Sequence, residues 1–239
     1  MDIPTSLSII ALAALIHASF QLGVSMVTLL SSHTTGHKMS QQRSFRLVAA
    51  FLCGTIAMTA LVVSTVAFVA TSYLRHGISP LLWSMLTGIL IGIGIAVWLF
   101  YYRHGEGTSL WVPRSLARFL HTRIRAVSMG AEAFSLGLTS VFAELLFILA
   151  PATAAAFALI SLPSRLQIAG VALYAVVASL GMIIVTVLIG SGHKLSRIQL
   201  WRERNKRFLQ FAAGSGLIIL GFYLYANEVI ATATLAGVQ

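Results

Sequence analysis

The chain has 239 residues, 58% of them apolar and only 9% charged, with a net charge of +10. A soluble domain carries about 25% charged residues, so this composition excludes an ordinary water-soluble globule and points to lipid as the main solvent. The positive charge does not indicate nucleic acid, because the basic residues sit in short loops between long apolar runs, as membrane topology demands. The single cysteine, Cys53, excludes an intramolecular disulfide, a two-thiol relay and a cysteine-cluster metal site. No Lys or Arg precedes Lys38, so the positive n-region of a cleavable signal is missing.

A membrane-spanning helix needs about 20 predominantly apolar residues. Six stretches qualify in chain order: Leu7–Leu30, Arg46–Tyr73, Leu81–Tyr102, Val127–Ala150, Leu166–Gly190 and Phe208–Ala226. Apolar character continues past Pro151 towards Pro163. Proline lacks the N–H that the helix ladder uses. The fourth helix is therefore expected to stop or kink at Pro151, leaving 151–162 as an interfacial or re-entrant piece.

The loops after spans one, three and five carry 14 of the 16 Lys and Arg residues, and only Arg75 and Arg165 fall on the other side. The positive-inside rule makes the first side cytoplasmic and puts both termini outside. The loop after span three holds Leu116, Phe119, Leu120 and Ile124 at helical spacing with arginines between them. That pattern predicts an amphipathic helix on the inner leaflet.

Span one contains Phe20-Gln-Leu-Gly-Val-Ser25, and span four contains Phe134-Ser-Leu-Gly-Leu-Thr139. Gly88-Ile-Leu-Ile91 in span three likewise resembles Gly216-Leu-Ile-Ile219 in span six. Copies three spans apart enter the membrane from opposite sides, which makes an inverted-topology repeat. The expected fold is all-α, with six transmembrane helices in a 3+3 repeat. Residues 1–103 form the first unit, 104–126 a cytoplasmic linker, 127–226 the second unit and 227–239 an external tail. Gly23 and Gly137 suit close packing of helix backbones at the repeat interface.

This layout resembles the lysine-exporter-like superfamily of six-helix bacterial transporters. The resemblance rests on the size, the glycine-bearing first helix of each half and the closing segment Asn205-Lys-Arg-Phe-Leu-Gln-Phe-Ala-Ala-Gly-Ser-Gly-Leu-Ile-Ile-Leu-Gly-Phe-Tyr-Leu224. The Pro-Gly-Pro stretch of the amino-acid exporters and the cysteine pair of related electron carriers are absent. Membership implies movement of a small solute or cation across a bacterial-type inner membrane.

Two carboxylates fall within a span, Glu132 and Glu144. A carboxylate in lipid costs about 2.5–3.5 kcal/mol on insertion scales, so it faces the protein interior or a wet cavity. Glu144, among Phe142, Leu145 and Leu146, is the expected proton carrier, because an apolar setting favours the neutral form of a carboxyl. Glu132 is expected at the inner exit. His17, Gln21, Ser25 and Thr28 share one helix face. His17, Gln21 and Ser25 are expected to line a central pathway with Ser135 and Thr139. His33 and His37, four apart, are a weak candidate pair for a metal. No catalytic motif is present, and neither an enzymatic activity nor a cofactor is implied. The expected partners are the bilayer and a small solute or ion, without nucleic acid and with homo-oligomerisation left open. The rival readings are a non-transporting subunit that binds a partner and an intramembrane enzyme acting on a lipid or peptide.

Overall fold

The computed structural model describes residues 1–20, 23–24, 26–27, 30, 41–74, 78–100, 122–124, 126–191 and 204–230. Every regular element among them is helical: α1 (Ile3–Phe20), α2 (Gln41–Tyr73), α3 (Pro80–Phe100), α4 (Gly130–Ile160), α5 (Ser164–Ala178), α6 (Leu180–Gly190) and α7 (Lys206–Leu224). A π-helical turn, Tyr225–Ile230, continues α7. Among the described residues, five helices are long and apolar enough to cross a membrane, and six spans result if α5 and α6 are counted as one bent span. Outward faces carry Leu61, Phe68, Leu81, Leu146, Ile168 and Phe222 more than half exposed. Soluble monomers rarely expose so many large apolar side chains; such faces suit the acyl chains of a bilayer.

The centre of the bundle is α4. Its most apolar window is 72% buried, against 33–44% for the other single spans. It packs on α1, α2, α3 and α5, while α1 also packs on α5 and α7, α2 on α5 and α6, and α3 on α7. The α2–α4 seam is close enough to exclude side chains. A Cβ on Gly137 would strike the Phe51 carbonyl, and one on Gly54 the Phe134 carbonyl. Glycines allow such contact where no other residue fits. Thr55 Oγ1 secures the seam by donating to the Gly137 carbonyl at 3.3 Å.

Two expectations about spans four and five are corrected. α4 does not stop at Pro151; it continues to Ile160 with Pro151 buried inside it. The following turns are almost all buried alanine, at positions 152, 154, 155, 156 and 158. Alanine is the strongest helix former, and packed neighbours let a membrane helix carry a proline. No separate piece at 151–162 is formed. Span five, expected as one helix, is instead broken at Ser179, where α5 and α6 meet at 60°. α2 also begins earlier than expected, at Gln41. The linker segment 101–121 and the tail 231–239 lie outside the described residues.

Candidate functional site

His17 on α1 and Glu144 on α4 are buried, at 0% and 1% exposure. Helix geometry explains why Glu144 faces inward although its neighbours are apolar. Phe142 and Leu146, two positions to either side, are 54% and 67% exposed. Two residues turn a helix by about 200°, so the opposite direction, taken by Glu144, is the protein interior. His17 lies on the buried α1 face with Ser6, Ile10, Ala13 and Phe20.

Each of the two groups is held from behind. His17 Nδ1 lies 3.1 Å from the Tyr174 hydroxyl of α5. The Gly23 N–H donates to Glu144 Oε1 at 3.2 Å. These contacts leave His17 Nε2 facing Glu144 Oε2 across 3.7 Å. That gap exceeds a hydrogen bond but lies within ion-pair range. Phe20 and Phe147 stack beside the pair, with ring centroids 5.5 Å apart and planes inclined by 10°. In this dry setting an uncompensated charge is costly, whereas a proton or cation shared between imidazole and carboxylate is compensated.

The sequence-predicted residues divide into two groups. His17 and Glu144 come together. Glu132 and the predicted pathway residues Ser135 and Thr139 do not join them; they follow another stripe of α4. Seven residues bring a helix almost back to the same direction, so Glu132, Ser135 and Thr139 share a face. That face borders a cleft of about 380 Å³ together with Arg123, Val127 and Leu136. Ser135 is exposed, and the Thr139 hydroxyl is spent on the Ser135 carbonyl at 2.8 Å. Glu132 Oε2 accepts the Ser128 N–H at 2.8 Å and the Met129 N–H at 3.2 Å. It therefore closes the first turn of α4, where four N–H groups lack helical partners.

Gly23 and Gly137 are both buried, but they pack on different helices: Gly23 against Met182 of α6, and Gly137 against Phe51 and Thr55 of α2. Gln21, Ser25, His33 and His37 lie outside the described residues.

Tyr174 is the site residue that sequence reasoning missed. Tyrosine in membrane proteins gathers at the interfaces, so one placed well inside an apolar run was the available signal. Ser140 and Ser179 are further buried polar residues that no sequence pattern singles out. Compared with protein-family models, with curated proteins and with solved structures, the chain matches none.

Proposed function

We propose that the chain is a secondary transporter of a small polar solute or cation in a bacterial-type inner membrane, linked to protons, with both termini outside. The observation that carries this reading is the buried His17–Glu144 pair between α1 and the central helix. Ionisable side chains inside a membrane bundle mark ion and substrate pathways. A pair held at its outer atoms and separated at its inner ones is arranged to gain and lose a charge.

Two features support construction from inverted repeats. Gly54-Thr-Ile-Ala-Met-Thr-Ala-Leu61 of α2 and Gly181-Met-Ile-Ile-Val-Thr-Val-Leu188 of α6 share Gly, Ile, Thr and Leu at the same spacing. The glycine contacts also exchange when α1 is paired with α4 and α2 with α5–α6. Gly54 abuts Leu138 and Gly181 abuts Val24; Gly137 abuts Thr55 and Gly23 abuts Met182. In each case the motif alignment pairs the residues touched. Repeats of this kind rock about a midplane site and often carry a broken helix, a feature that α5–α6 supplies. The same plan is what the resemblance to the lysine-exporter-like superfamily implies.

Reconstitution into liposomes with a solute panel and an imposed pH gradient tests the reading. The expected result is solute flux that depends on the gradient in the parent protein and loses that dependence in Glu144→Gln. Absence of flux for every solute, with a partner protein co-purifying, would favour the non-transporting subunit.

A further inference from the structure

The facing atoms of the central pair lie at an ion-pair spacing that also suits two ligands of one metal ion. At 3.7 Å, Nε2 and Oε2 are too far apart to bond directly. A water bonded to both would place them roughly 4.5–5.5 Å apart, from two bonds of about 2.8 Å each. Two ligands of one metal ion fall between these cases. Zinc–nitrogen and zinc–oxygen bonds are about 2.0–2.2 Å, which separates tetrahedral ligands by roughly 3.3–3.6 Å. We propose that His17 Nε2 and Glu144 Oε2 are two ligands of an exchangeable site for a first-row divalent transition-metal ion. This deepens the transporter reading by naming the cargo class, and it rests on that reading for the ion's movement.

The surrounding contacts fit the assignment. A metal-binding imidazole almost always gives its other N–H to an oxygen, which fixes the tautomer. The Tyr174 hydroxyl, 3.1 Å from Nδ1, can accept that N–H. Glu144 Oε1 is oriented in the same way by the Gly23 N–H. Mixed imidazole and carboxylate donors suit borderline divalent ions such as Zn²⁺, Fe²⁺, Co²⁺ or Mn²⁺. Soft thiolate chemistry has no part, since Cys53 is exposed on the surface of α2. The described residues contain no cluster of three or more His, Cys, Asp or Glu that could hold a metal ion. A structural zinc site is closed by four protein ligands; the described residues supply two, which suits an ion that enters and leaves.

The test uses the full chain in detergent, with Co²⁺ as the probe and His33→Ala/His37→Ala as the background, so that the loop histidines do not compete. One equivalent of Co²⁺ is expected to give visible d–d bands. His17→Gln and Glu144→Gln are each expected to weaken binding by more than the 10–100-fold typical of an outer-shell change, and Tyr174→Phe by about 10–100-fold. Monodisperse elution of each variant checks its fold, and Tyr174→Phe serves should the other two fail to assemble. No cobalt uptake by the parent, or uptake unaltered in all three variants, overturns the site. Binding without flux in liposomes keeps the site and removes the transport reading; proton-linked solute flux without Co²⁺ binding does the reverse.

Discussion

Glu132 and Glu144 are carboxylates of the same helix, 12 residues apart, or about 18 Å at 1.5 Å per residue. Hydropathy treats them alike, yet their surroundings assign them different work. Glu132 sits exposed at the first turn of α4 and spends its charge on backbone N–H groups. Glu144 is buried deep in the bundle, where its contacts include a histidine and a backbone N–H from the α1 side. The difference shows that a carboxylate in a span gains a chemical role from the helix packed opposite it. The apolar residues beside it in sequence do not decide that role.

The seam on which this comparison depends is the most sensitive place to disturb it. Gly137→Leu places a side chain into the α2 backbone. Overpacking of a tight core costs about 1–3 kcal/mol and can exceed that, and backbone cannot give way as a side chain does. Thermal unfolding of the purified variant should show a larger loss than that of Glu144→Gln, Glu132→Ala or Asp2→Asn. A melting temperature equal to the parent's would mean that the seam is not closed in solution.

Glu144→Gln keeps shape and hydrogen-bonding capacity but removes the charge. It should leave the protein folded and abolish the dependence of transport on an imposed pH gradient. Unchanged gradient dependence would make Glu144 structural and leave His17 as the coupling group. Glu132→Ala should behave in the opposite sense: a small fall in melting temperature, as for removal of a helix cap, with the pH-gradient dependence of transport intact. A changed gradient dependence would show that the inner end of α4 belongs to the pathway after all.

The smallest effect is expected at Asp2, which caps α1 by accepting the Thr5 N–H at 3.1 Å. Hydrogen bonds from Thr5 hold its carboxyl below the ordinary carboxylate range. A lowered folded-state value means that the contribution is present above the unfolded value and is lost as pH falls through the folded one. Fraying of the first turn of α1, followed by amide exchange, should increase in acid in the parent and be independent of pH in Asp2→Asn.

Much of this architecture was legible in the residues alone. Long apolar runs free of charge can satisfy their backbones in lipid only as helices, so the spans follow from composition. Glu144 and His17 stood out because a polar group in such a run must face inward. Other features depend on what lies opposite. Pro151 reads locally as a helix stop, but a buried alanine-rich turn carries the helix past it. The break at Ser179 has no proline to announce it. Ser135 and Thr139 matched a repeat motif, yet the register of α4 turns them away from Glu144.

What the sequence determined by itself is therefore the solvent, the helical class and the inward direction of its buried polar groups, since each follows from the cost of exposing charge or backbone to lipid. Which groups meet was decided by tertiary packing alone. The glycine seam between α2 and α4 and the approach of α1 and α5 bring His17, Glu144 and Tyr174 together from three helices, and contacts across 127 and 157 positions of chain depend on how close the backbones come, which helical periodicity does not encode.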